Sequence, residues 1–97
     1  MIVAVAVLEL HLPHCRSLKE KRQVVKSMIE RMHSRYRVSV AETAYHDLHQ
    51  RAEIGIAAVG HSDGELERLL ADLRGLADAE PQALVVKWEP QLLEEGS

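Results

Sequence analysis

The sequence predicts an α+β sandwich in which a four-stranded antiparallel sheet carries two helices on one face. Three observations predict it. Four apolar stretches have strand-type patterning, two further stretches carry apolar residues at helical spacing, and their order along the chain is βαββαβ. Two split βαβ halves with right-handed crossovers close into a ferredoxin-like sandwich. The 97 residues are expected to form a single domain over 1–97. A chain of that length buries roughly 60–70% of its unfolded surface, enough for one core without disulfides or metal. Only Tyr36, Tyr45 and Trp88 are aromatic although 46% of the residues are hydrophobic, so the core is aliphatic.

The first strand is expected over residues 2–12. Ile2, Ala4, Ala6, Leu8, Leu10 and Leu12 are apolar on one face, and Val3, Val5 and Val7 on the other. Two apolar faces predict a central strand covered on both sides over its first half, ended by Pro13. The first helix follows from residue 16 to about residue 34. Ser17 and Glu20 stand in capping-box spacing, and Leu18, Val24, Val25, Met28, Ile29 and Met32 form its core-facing stripe. Lys21 falls inside that stripe, the one charged residue there.

A half-buried strand over residues 36–43 places Tyr36, Val38 and Val40 inward and Arg37, Ser39 and Thr43 outward. A polar turn over 45–51 leads to a strand over 52–59, in which Gly55 marks close backbone approach or a partner on the open face. Ser62 and Glu65 repeat the capping-box spacing, and Leu66, Leu69, Leu70, Leu73, Leu76 and Ala77 define the second helix. Pro81 follows it, residues 83–89 supply a last strand around Leu84, Val86 and Trp88, and the tail over 94–97 is expected to fray. The helix-free sheet face then carries Val3, Val5, Val7, Ala41, Gly55, Ala57 and Val59 with no segment left to cover it. An apolar patch of that size predicts a homo-oligomer, a dimer through the open sheet face or a strand edge.

The net charge of −3 conceals a strong asymmetry. Residues 16–37 hold eight basic groups against two acidic, whereas the remainder holds four basic against thirteen acidic. A single cysteine, Cys15, forms no internal disulfide, which suits a cytoplasmic protein. The apolar N-terminus has no basic leader and reaches Glu9 long before the ~20 residues a membrane helix needs, so neither targeting segment nor membrane span is expected.

The crossovers bring the end of the first strand, the start of the first helix and the loop between the second and third strands to one end of the sheet. That end collects Arg16, Lys19, Lys21, Arg22 and, a turn later, Lys26, with Arg51 from the loop. A helix N-terminus already favours anions, and acidic side chains are preferred there. Cations crowded at that position point to a docked phosphate or carboxylate, with splayed, solvated side chains as the plain alternative. His11, His14, His46 and His49 lie at the same end with Cys15, but their spacing matches no closed zinc-site pattern, so no metal or other cofactor is expected. Cys15, flanked by His14 and Arg16, suggests an activated thiol or, more simply, a passive surface one. No nucleophile elbow, Gly-rich phosphate loop or zinc-protease motif is present. Acylphosphatases of this topology pair a first-loop arginine, where Arg16 stands, with an asparagine, and this chain contains no asparagine. Base stacking in the manner of RNA-recognition modules is excluded, because the two central strands carry no aromatic residue.

The blocks S-L-K-E-K-R (17–22), V-S-V-A-E (38–42), D-L-H-Q-R-A (47–52) and G-I-A-A-V (55–59) resemble the YlxP-like family of small uncharacterised bacterial proteins over nearly the whole length. That resemblance implies a ferredoxin-like fold. It also implies an accessory role near RNA or the ribosome, since such genes neighbour those of transcription elongation, translation initiation and ribosome maturation. It carries over no catalytic residue. At position 49, where the family usually has an aromatic, this chain has His49. The functional expectation is therefore a non-enzymatic accessory protein contacting RNA or ribonucleoprotein through Arg16, Lys19, Lys21, Arg22, Lys26 and Arg51. A regulatory oligomer binding a small anionic ligand is the alternative, and a small hydrolase the third.

Overall fold

In the computed structural model, which describes residues 1–94, the elements follow the order β1 (Ile2–His11), α1 (Leu18–Tyr36), β2 (Ser39–Ala44), β3 (Arg51–Gly60), α2 (Asp63–Asp78) and β4 (Leu84–Glu94). The sheet is antiparallel with strand order β2-β3-β1-β4. β1 is central, and its register against β3 runs unbroken from Ile2 opposite Gly60 to His11 opposite Arg51.

The alternation along β1 decides which side is the core. Ile2, Ala4, Ala6, Leu8 and Leu10 are buried, as are their β3 neighbours Ala52, Ile54, Ile56 and Ala58. Against them pack Val24, Val25, Met28 and Met32 of α1 and Leu66, Leu70, Leu73, Leu76 and Ala77 of α2. Val3, Val5 and Val7 are only half-buried, so the expectation of cover on both sides of β1 fails. Apolar side chains on both faces mark a strand that wants cover, not one that has it within its own chain.

Both helices begin at a serine cap. Ser17 Oγ accepts from the Glu20 N–H at 3.1 Å, and Ser62 Oγ from the Glu65 N–H at 3.2 Å. Each glutamate returns the contact one residue further out than expected, to the N–H of Arg16 (2.7 Å) and of His61 (3.4 Å). The first helix runs to Tyr36, which is therefore helical and not the start of β2. It ends at Arg37 in the left-handed region (φ 52°), and the His33 ring closes the turn through Nδ1 and the Val38 carbonyl at 2.8 Å.

β4 is longer than the expected strand over 83–89, because Pro90 does not end it. An edge strand can hold proline where the missing N–H would have faced outward. Glu94 lies in this strand, while residues 95–97 of the expected tail lie outside the described residues.

Candidate anion-binding helix face

The segment joining β1 to α1 is pinned to the β2–β3 loop. The Leu12 N–H donates to the Gln50 carbonyl at 2.9 Å, and Gln50 Nε2 donates back to the carbonyls of Cys15 (3.3 Å) and Pro13 (3.4 Å). The start of α1 and residues 45–51 thus share one end of the sheet, as the topology predicts.

Lys21 has a different task from the one its charge suggests. Its side chain is 0% exposed, and its ammonium donates to the carbonyls of Tyr45 (2.8 Å), Arg51 (3.1 Å) and, at longer range, His46 (3.4 Å). Nζ also lies 2.9 Å from Glu42 Oε2, an ionic contact in which that oxygen makes no hydrogen bond. An ammonium has three donors, and all are consumed inside the fold. Lys21 therefore leaves the anion-binding set. It occupies an apolar stripe position because a buried positive centre there gathers the carbonyls at the two ends of the β2–β3 loop, Tyr45 and His46 at one and Arg51 at the other. Tyr45, held at φ 64°, is a strained non-glycine position whose carbonyl accepts the shortest of these bonds.

Arg51 also leaves the set. Its Nη2 donates to Glu9 Oε1 at 2.7 Å, and its guanidinium lies 4.0 Å from the centre of the Tyr45 ring. Glu9 continues the Val3, Val5, Val7 alternation, so this cluster sits on the sheet face opposite α1. The hydrogen bond from Arg51 holds the Glu9 carboxyl below its ordinary value near 4.5. A depressed folded-state value means that the pair stabilises the fold above that pH and ceases to do so as the carboxylate protonates. The stability gap between wild type and Glu9→Gln should close as urea titrations are moved from neutral pH to below about 4.5. A constant gap would contradict the pairing.

The remaining cations of this end behave otherwise. Arg16, Lys19, Arg22 and Lys26 are exposed, and among the described residues none has a carboxylate within ion-pair distance. Arg22 and Lys26 flank a shallow groove of about 290 Å³ between α1 and β2, floored by Val25 and Ile29 and walled by Glu42. Further along α1, Arg31 is occupied by Glu80 at 3.0 Å.

Cys15 is buried, not a surface thiol. Burial, and secondarily the Glu20 charge, push its titration up, so it lacks the depressed value of a nucleophile. A thiol-reactive dye should label it slowly in the native protein and promptly in denaturant; equal rates would place it at the surface. Of the histidines, His46 uses Nε2 on the Glu42 carbonyl at 3.1 Å, and His11 and His49 border an open recess with Asp47, Leu48, Gln50 and Arg51. Among the described residues no three His, Cys, Asp or Glu side chains, His14 included, converge in a metal-holding arrangement.

The residue that sequence reasoning missed is Glu42. The signal was available: alternation from Val38 and Val40 turns Glu42 toward the helices, and an inward acid on β2 calls for an inward base. Lys21 is that base.

Residues 3–89 match the family described as a protein of unknown function, DUF503, and the chain belongs to that family. It is similar to the uncharacterized protein YlxP of Bacillus subtilis (strain 168), with 38% identity over 76 residues, 74% of this chain and 83% of that protein. Among solved structures it resembles the de novo designed protein Foldit4 (TM-score 0.52, 14% identity, 99% of this chain and 100% of that one). It also resembles a point mutant of SnoaB, a cofactor-independent oxygenase from Streptomyces nogalater (TM-score 0.51, 15% identity, 98% and 94%). At such identities these two likenesses speak for the fold alone. No described helix is long and apolar enough to cross a membrane.

Proposed function

We propose that this member of the DUF503 family is a non-enzymatic, homo-oligomeric accessory protein that contacts phosphates of RNA, free or within the ribosome, through the outer face of α1. One observation carries the reading. Four cations, Arg16, Lys19, Arg22 and Lys26, stand exposed along the first turns of α1 without carboxylate partners among the described residues, while Lys21, Arg31 and Arg51 are all engaged. The only acid of the first turn, Glu20, spends its carboxylate on the Arg16 N–H. The macrodipole and the four cations therefore add with the same sign, and the single Glu20 charge offsets only one of them.

Spacing favours an extended polyanion over a compact ligand. Lys19 to Lys26 span about 10 Å of helix axis, and Arg16 lies beyond the Ser17 cap, a run of successive phosphates and not the width of one. Contacts of this kind read charge and shape, not sequence. The groove beside Arg22 and Lys26 supports the second reading, a small anionic ligand, but Glu42 lines it. A thermal-shift series with phosphorylated metabolites separates the two, because a compact ligand raises the melting temperature by mass action.

The test is a mobility assay on a structured RNA at 50 and 200 mM salt. About three to four phosphate contacts should weaken binding roughly 40- to 150-fold between those concentrations. Absence of binding at the lower salt would remove the proposal.

A further inference from the structure

We infer that the helix-free sheet face is the interface between two copies of this chain, stacked so that the β1 ridge of each lies in the β3 trough of the other. This deepens the homo-oligomeric part of the proposed function and does not depend on RNA. Two kinds of surface compete for self-association, and the edges are blunted. β2 is six residues long with its register broken between Glu42 and Ala44. β4 carries Pro90, Lys87 and a register break opposite Glu9 and Leu10. Proline, lysine, bulges and short length are the devices that keep strand edges from pairing.

The face carries no such device over its apolar half. Val3, Val5 and Val7 form a ridge on β1, flanked by Val59 (67% exposed) on β3 and Leu93 (46%) on β4. Beside the ridge, Gly55 and Ala57 of β3 with Ser39 and Ala41 of β2 form a shallow trough of about 330 Å³. Its floor stays open because a Cβ at Gly55 would meet Thr43 Cγ2 at 2.9 Å. With strand order β2-β3-β1-β4, a two-fold axis running along the strands lays β1 of one copy over β3 of the other. Ridge then meets trough twice, the isologous arrangement of a closed dimer.

Size and charge agree with that occupant. Four strands about 4.8 Å apart and about nine residues long give a face of about 570 Å², and thus roughly 1,100–1,200 Å² from two copies, near the lower bound for a specific interface. At the far end of the face, charges of both signs are paired within the chain, Arg51 with Glu9 and Lys87 with Glu89 (3.1 Å). Glu53, opposite Glu9 on the same face and bonded to the Thr43 hydroxyl at 2.7 Å, leaves that end with a single net negative charge, little pull on a strongly charged partner.

Sedimentation equilibrium of the intact chain at micromolar concentration tests the inference. The expected mass is twice 10.9 kDa. Val5→Glu, and separately Ala57→Glu, should weaken the dimer at least about 100-fold by burying an unpaired charge, with far-UV circular dichroism unchanged. A monomer, or a dimer that survives in both folded variants, would overturn it, the latter pointing to an edge. Should a variant fail to fold, hydroxyl-radical footprinting of the wild type at rising concentration decides: Val5, Val59 and Leu93 should lose labelling, and unchanged labelling overturns the inference. The RNA assay is scored apart, so a monomer that still binds RNA sinks this interface and leaves the phosphate contact standing.

Discussion

Lys21→Met is expected to destabilise the fold by about 3 kcal/mol, the lower end of the cost of breaking a buried pair. Methionine preserves most of the stem and removes the ammonium. It leaves Glu42 Oε2 facing the interior with no cation, takes the ammonium from the Arg51 carbonyl and leaves the Tyr45 carbonyl with only the Leu48 N–H. For a domain of this size the loss corresponds to a fall in melting temperature of about 12–24 °C, readable by calorimetry. Glu42→Gln should cost less, about 1 kcal/mol, because Lys21 keeps its carbonyl partners and Glu42 retains some water at 16% exposure. Their effects should not add, since the two residues share one interaction. A Lys21→Met variant as stable as the wild type would show that the ammonium is not what holds residues 45–51 to α1.

Lys19→Ala, Arg22→Ala and Lys26→Ala combined should leave the fold within about 1 kcal/mol of wild type, since these side chains are exposed and unpaired. Affinity for structured RNA should fall at least about 30-fold at 50 mM salt, and the salt slope should drop by about three, one for each phosphate contact removed. The contrast with Lys21→Met separates the two uses of positive charge on one helix. Lys19, Lys21 and Arg22 lie within a single short block, yet only the two outside the apolar stripe are offered to solvent. Unchanged affinity in the triple variant, with its fold intact, would mean that RNA reads some other surface.

The architecture was legible because its signals are local and mutually consistent. Ser17 with Glu20 and Ser62 with Glu65 mark both helix starts, and the period-2 run of Ile2, Ala4, Ala6, Leu8 and Leu10 marks the central strand. The element order then leaves one natural sandwich. Boundaries slipped where tertiary context decides: Pro90 is admitted because β4 is an edge, and Tyr36 stays helical because Arg37, not a glycine, takes the left-handed terminus. The site was legible only in part. Its place at the start of α1 followed from the crossovers, but the allocation of each cation depended on partners 21 to 42 residues away, Glu42 for Lys21 and Glu9 for Arg51. Wheel position had already set Lys21 apart from Lys19, Arg22 and Lys26. Its meaning needed the inward carboxylate of Glu42, which an apolar reading of β2 passes over.

The most direct test is a backbone amide NMR titration of the ¹⁵N-labelled protein with a short RNA hairpin at low salt. Phosphate docking along α1 predicts shifts concentrated at Arg16, Lys19, Arg22 and Lys26 and their helical neighbours, reversed by added salt, with Val3, Val5 and Val59 across the sheet unmoved. Shifts confined to the sheet or the β4 edge, or none at all, would contradict it.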